Sequence, residues 1–195
     1  MSDTSKKNIF AAVLAAGSAS RFGATKQLAE ANGTPLVRRA VDAATGACGR
    51  YTALVIGHEW QSVSEACMPL DGFLIVNDHF TNGIGSSIAL ATRSLRHAAD
   101  AIIFLLADQP LVTAKHVRLL KETWSGADKE IVATAFADTL GPPVLFPRAC
   151  FDALGVLDGE LGARQLFDDE RFTVTSVVFE DAALDIDTPA DLRKL

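Results

Sequence analysis

Between Leu14 and Lys26 the chain reads LAAGSASRFGATK, and this stretch limits the possible folds more than any other. An apolar run from Ile9 to Ala16 stops in a loop of small residues, which then delivers two fixed cations, Arg21 and Lys26. Small residues let a backbone approach an anion and turn its N–H groups inward, and cations then meet phosphate oxygens at close range. A buried strand feeding such a loop reads as a nucleotide phosphate site. Other readings fit less well. A dinucleotide fingerprint needs three glycines at set offsets, and Gly17 and Gly23 lack the middle one. A Walker-type loop needs Ser or Thr after its lysine, whereas Gln27 follows Lys26. A secretory leader would use Lys6, Lys7 and the apolar run, but that run is short and poor in Leu. The remaining alternative is a Gly/Ser turn with solvated charges.

Downstream, strand and helix patterns alternate. Strands are expected at Ile9 to Leu14, Thr52 to Ile56, Phe73 to Val76, Ala101 to Ala107, Glu130 to Thr134, Val144 to Phe146 and Phe172 to Phe179. Helices are expected at Pro35 to Ala47, Glu59 to Cys67, Ser86 to His97, after a Thr113 cap, at Leu161 to Phe167, and after a Thr188 cap. Ala101 to Ala107 is apolar throughout, as a strand buried on both faces must be. The alternation predicts an α/β fold: a doubly wound, three-layer αβα sandwich around a mostly parallel, Rossmann-like sheet, in one domain spanning 1–195. Ligands on such sheets bind beyond the carboxyl ends of the strands.

That rule singles out Asp108, which directly follows the Ala101 to Ala107 run, and it draws attention to a second acidic segment, Asp185-Ile186-Asp187-Thr188-Pro189. In extended chain Asp185 and Asp187 share a side. Hard oxygen ligands on separate loops suit magnesium, which holds phosphates while keeping several waters. Asp181 and Asp191 read as solvated surface groups. A second glycine loop, NDHFTNGIGSS from Asn77 to Ser87, opens a helix with free N–H groups and two hydroxyls, a site for an anion or polar ligand. The net charge of −6 argues against a nucleic-acid surface, and no apolar run approaches membrane-span length. Cys48, Cys67 and Cys150 lack metal or redox spacing and read as reduced, buried thiols of a cytoplasmic protein.

LAAGSASRFGATKQL at 14–28 resembles the signature loop of nucleotidyltransferases related to the molybdenum cofactor guanylyl- and cytidylyltransferases. NGIGSS at 82–87, FLLADQPLV at 104–112, GPPVLF at 141–146, GELGAR at 159–164 and LDIDTPADL at 184–192 follow in the same order. The Ala-Ala-Gly of the first loop and the Gly-Ser-Ser segment look most like the cytidylyltransferase branch. Departures are Ala19 in the phosphate loop, Phe22 for a frequent Met, and Asp78-His79 for a common Pro-Asp pair.

The resemblance implies that Leu14, Ala15, Ala16 and Gly17 bind a nucleotide through backbone, and that Arg21 and Lys26 bind its phosphates. Asn77, Gly85, Ser86 and Ser87 would line the nucleotide or pterin side. Asp108 would hold Mg2+, with Asp185 or Asp187 as the second ligand. The implied reaction moves CMP from CTP to the terminal phosphate of molybdopterin and releases pyrophosphate, with Arg21, Lys26 and Asp108 carrying the catalysis. Transient contact with a molybdoenzyme or its chaperone would follow. Transfer from GTP or another nucleotide, to another phosphorylated acceptor, is the rival within enzymes. A cofactor-binding chaperone that kept the fold is the rival outside them.

Overall fold

The computed structural model describes residues 7–18 and 22–195. β1 (Ile9–Ala15) lies mid-sheet because both of its faces are apolar. Ala11, Val13 and Ala15 face one buried layer, and Phe10, Ala12 and Leu14 face the other. Along the chain follow a small β2 (Glu30–Ala31) and β3 (Thr34–Pro35) pair, then α1 (Leu36–Cys48), β4 (Thr52–Ile56) and α2 (Trp60–Glu65). Next come β5 (Phe73–Val76), α3 (Ile84–Leu95), β6 (Ala101–Leu106), α4 (Ala114–Thr123), β7 (Glu130–Phe136), β8 (Thr139–Pro147), α5 (Phe151–Leu154) and β9 (Thr173–Val178). The seven-stranded sheet runs β5-β4-β1-β6-β8-β7-β9. β4 and β6 flank β1 in parallel, while β8 runs antiparallel to both of its neighbours. This is the expected doubly wound α/β architecture.

The two layers are set by helical periodicity. α1 buries Val37, Ala40, Val41 and Ala44, and α4 buries Val117 and Leu120, on one side of the sheet. α3 buries Ile88, Ala91 and Leu95, and α5 buries Phe151 and Leu154, on the other. From β5 at the sheet edge the chain returns through α3 to β6, on the far side of β1. The strand order therefore reverses between β1 and β6, and their carboxyl ends open the crevice where ligands enter such sheets. β5 itself is a free edge, with Phe73, Leu74 and Val76 all exposed. No described helix is long and apolar enough to cross a membrane.

Four expectations change. The Val144 to Phe146 strand is nine residues long because it is half of a hairpin. Ala137 and Asp138 both take positive φ and form its two-residue turn. Pro142 and Pro143 lie where the β7–β8 register shifts, in a bulge that removes them from the regular ladder. The Leu161 to Phe167 helix is only a 3-10 turn, Arg164–Phe167. After Thr188 there is likewise a 3-10 turn, Asp191–Lys194, and its N-cap is Ala190 rather than Thr188. Asp191 is no idle surface group: its carboxylate accepts from the Thr188 N–H and hydroxyl, both at 2.8 Å, and from Lys194 at 2.6 Å. Those bonds hold its carboxyl far below the usual carboxylate range.

Behind the β7–β8 pair, His116 is buried and stacked on Phe179 with ring centres 4.3 Å apart. Thr134 donates its hydroxyl to the Pro143 carbonyl at 2.7 Å, so His116 Nε2 must be the donor in its 2.8 Å contact with Thr134. Burial pushes the ring's pKa down to about 4, which keeps it neutral near pH 7. An unfolded chain titrates this residue near the ordinary 6.5 and binds the proton more readily. Stability should be fully present above pH 6.5 and decline as pH falls toward 4, by about 3 kcal/mol from this residue. Denaturant unfolding across that range should show a shallower slope for His116→Gln than for wild type.

Candidate functional site

The β1 strand ends at Ala15, and Ala16, Gly17 and Ser18 leave the sheet at the crevice. The loop returns at Lys26, in a 3-10 turn ending at Leu28. The ε-ammonium of Lys26 lies 2.8 Å from Asp108 Oδ2 and 3.1 Å from Asp187 Oδ1. Burial alone would lower the lysine's pKa. The charge of Asp108, then bonding to Asp108 and Asp187, outweighs that and holds it above the ordinary value.

Asp108 sits where β6 ends, as expected of a carboxylate in the ligand crevice. Its carbonyl accepts from the Ile186 N–H at 3.0 Å, and Ile186 is fully buried against Ala31 and Leu36. Gln109 adds a second tie, donating to the Ala182 carbonyl at 2.9 Å. These contacts bring the distant Asp185–Asp187 segment alongside β6. Of its two carboxylates, Asp187 lines the cavity and meets Lys26. Asp185 stands beside them. Its pKa is pushed up to about 6, first by the protein crowding it out of water, then by the charges of Asp108 and Asp187.

The cavity over this cluster holds about 700 Å³. Leu14, Ala15, Ala16, Gly17, Lys26, Ser87, Asp108 and Asp187 all line it, as the sequence predicted for a shared site. Arg21 and Ala19 lie outside the described residues. Asn77 and Ser86 are elsewhere: they border a smaller neighbouring cavity of about 310 Å³, with Asp78 and His79. Asn77 is buried and spends its polar atoms internally, donating to Ser86 and Ser87 at 3.0 and 2.9 Å and accepting from the His79 N–H at 3.0 Å. It positions the serines.

Gly85 is not a lining residue of either cavity. A Cβ there would fall 2.8 Å from the Asp158 backbone, and its N–H donates to the Gly159 carbonyl at 2.9 Å. Gly83, at φ +88°, is as tightly opposed to Gly159. The glycine loop therefore serves close approach of the 158–160 segment, which delivers Glu160 to the cavity wall.

Sequence reasoning missed Gln27, Gln109 and Glu160. Gln27 is 5% exposed, and its amide donates to the carbonyls of Ala15 and Gly17 at 3.1 and 2.5 Å. Its only sequence signal is a polar residue between Lys26 and Leu28. Gln109 had the weak signal of following Asp108 directly.

The donor set suits a hard divalent cation. Among the described residues, three carboxylates, Asp108, Asp185 and Asp187, stand around one ammonium, that of Lys26. Asp108 Oδ1 is buried with no hydrogen-bond partner among the described residues. No ready-made cluster of three His, Cys, Asp or Glu ligands stands among the described residues. The Lys26 ammonium sits between Asp108 and Asp187. Asp108 and Asp187 would hold the ion, with Asp185 beside them.

Residues 11–174 match the MobA-like NTP transferase domain. The chain belongs to this NTP transferase family. The bifunctional protein GlmU of Synechococcus is 29% identical over 164 residues, covering 82% of this chain and 36% of that protein. The chain thus spans about a third of that relative's length. The crystal structure of Rv0371c from Mycobacterium tuberculosis superposes with a TM-score of 0.80 at 27% identity, covering 96% of this chain and 97% of that one. A manganese complex of Rv0371c aligns at a TM-score of 0.76. Molybdopterin-guanine dinucleotide biosynthesis protein A from Archaeoglobus fulgidus shares the fold at 21% identity, 94% and 95% coverage, and a TM-score of 0.67.

The raised pKa of Asp185 means that its ionisation opposes folding. That cost is absent below pH 3.8 and grows as pH rises through about 6. Without divalent cations, Asp185→Asn should melt at a higher temperature than wild type at pH 7.5. The difference should close toward pH 4. Added magnesium should narrow it at pH 7.5 by stabilising the wild-type cluster. Thermal melts with and without the ion read all three effects.

Proposed function

We propose that this NTP transferase moves CMP from CTP to the terminal phosphate of a molybdopterin-type acceptor and releases pyrophosphate, with Mg2+ as the cofactor. The carrying observation is the Lys26 ammonium held between Asp108 and Asp187 at the wall of a nucleotide-sized cavity, beneath the small-residue end of β1. The choice of CTP and pterin rests on the order and identity of the sequence motifs, and the Ala15-Ala16-Gly17 and Gly85-Ser86-Ser87 segments support the cytidylyl reading. The manganese complex of the similar Rv0371c supports the use of a divalent cation. Three buried, free cysteines agree with a reducing, cytoplasmic setting.

In the proposed reaction an acceptor phosphate oxygen forms a bond to the α-phosphorus of the nucleotide. The bond from that phosphorus to the bridging oxygen of the β-phosphate breaks, and its electron pair leaves with pyrophosphate. A phosphate monoester is already anionic near neutral pH, so the main barrier is repulsion between two anions rather than removal of a proton. Lys26 supplies fixed positive charge where the loop meets the crevice. Asp108 and Asp187 hold that ammonium in place. A divalent ion on the carboxylates would neutralise phosphate charge and orient the triphosphate. The loop from Ala16 to Ser18 offers backbone N–H groups, and Phe80, Ile84 and Leu36 give the cavity apolar walls.

One incubation series tests the reading: each of the four common ribonucleoside triphosphates with molybdopterin and magnesium, followed by pyrophosphate release and product mass. CTP should be the productive donor, and product formed only with GTP would overturn the cytidylyl assignment. Asp108→Asn should cut turnover by about a hundredfold or more. Its melting temperature should change little, because the loss of one Lys26 contact is offset by relief among three crowded carboxylates. Retained turnover would remove Asp108 from the mechanism.

A further inference from the structure

Gln27 has no part in the mechanism above, yet it is among the most deeply buried polar side chains of the site, at 5% exposure. Its amide nitrogen has two hydrogens, and both are used on one short stretch of chain: the carbonyl of Ala15 at 3.1 Å and that of Gly17 at 2.5 Å. The carbonyl between them, on Ala16, is held from another direction by the His58 N–H at 3.2 Å. Every carbonyl from Ala15 to Gly17 is therefore tied down.

Peptide planarity turns this into a statement about donors. Across a trans peptide the C=O and the following N–H point in opposite directions. Fixing the Ala15 carbonyl toward Gln27 turns the Ala16 N–H away from Gln27. Fixing the Gly17 carbonyl does the same to the Ser18 N–H. Ala16, Gly17 and Ser18 all line the cavity, and among the described residues nothing accepts from their N–H groups. Successive unpaired N–H groups on a turning backbone form an anion cradle. The adjacent residue, Lys26, brings the ammonium.

We infer that Gln27 is a positioning residue: its amide clamps the Ala15 and Gly17 carbonyls so that the backbone donors of the loop face the polyphosphate of the nucleotide. This rests on the nucleotide reading of the cavity but not on the identity of the base or the acceptor. Gln27 itself borders the cavity, and in this role it works through the loop. It acts by fixing the loop before the ligand arrives, so the ordering cost is not charged against binding.

The experiment uses inorganic tripolyphosphate with magnesium as the probe, which is independent of base choice, and cytidine as a probe lacking phosphate. Calorimetric titration is done on wild type, Gln27→Met and Gln27→Glu. Met fills the same space with no donor. Glu keeps the shape, but its ionised carboxylate repels the two carbonyls it would have to bridge. Both variants should weaken tripolyphosphate about tenfold, the effect of losing one to two oriented hydrogen bonds. Cytidine binding should stay within a factor of two of wild type. In turnover the loss should fall on KM for the nucleotide, more than on kcat. Unchanged tripolyphosphate affinity in either folded variant would overturn the assignment. So would equal weakening of both probes, which is the mark of a merely structural defect. Failure of wild type to bind tripolyphosphate would overturn the clamp together with the phosphate reading of the cavity. Binding of tripolyphosphate without CTP turnover would count only against the substrate assignment.

Discussion

The contact between Lys26 and Asp108 joins positions 82 residues apart, and the functional reading depends on it. It forms because β1 and β6 are adjacent and parallel, so both end on one edge of the sheet. Each strand is apolar enough to be buried on both faces, and neither can leave the sheet without carrying its next polar residue to that edge. The crevice is thus a by-product of burial. Hydrophobic patterning places the ends, and the ends place the charges.

A third element reaches the same spot by a different route. The chain from Ala182 to Asp187 is not a strand of the sheet. It is fastened through the Ile186 N–H, through Gln109 and through the buried Ile186 side chain. Its two aspartates then stand next to Asp108, and burial first, then the charges of Asp108 and Asp187, raise the pKa of Asp185. A cluster with more anions than cations is unfavourable in an empty site and favourable in a site that receives a cation. The fold maintains it through apolar and backbone contacts that are indifferent to charge.

Much of this was legible in the chain itself. The continuous apolar runs marked β1 and β6, and the rule that ligands gather at strand ends then selected Asp108. Alternation in extended chain put Asp185 and Asp187 on one side. Less legible was anything that depends on contact between distant segments. Asn77 and Gly85 sit in a motif that reads as ligand-binding, yet one braces two serines and the other makes room for the 158–160 segment. Gln27 carries only a weak local signal, because its partners are backbone carbonyls, which look alike in any sequence. The β7–β8 hairpin was half hidden: its turn uses Ala137, a residue that seldom takes positive φ, and its second strand contains two prolines that a bulge accommodates.

The exposed edge at β5 has a consequence for the molecule in solution. Phe-Leu-Ile-Val presents a ladder of unused backbone groups and apolar side chains with no lysine or proline to blunt it. The overall charge of −6 sets a long-range repulsion between copies, which is not a local guard. Acid or concentrated salt weakens that repulsion while leaving the edge unchanged. Association between copies and ligand entry are thereby governed at different margins of the same sheet: the lateral β5 edge for one, the carboxyl ends of β1 and β6 for the other.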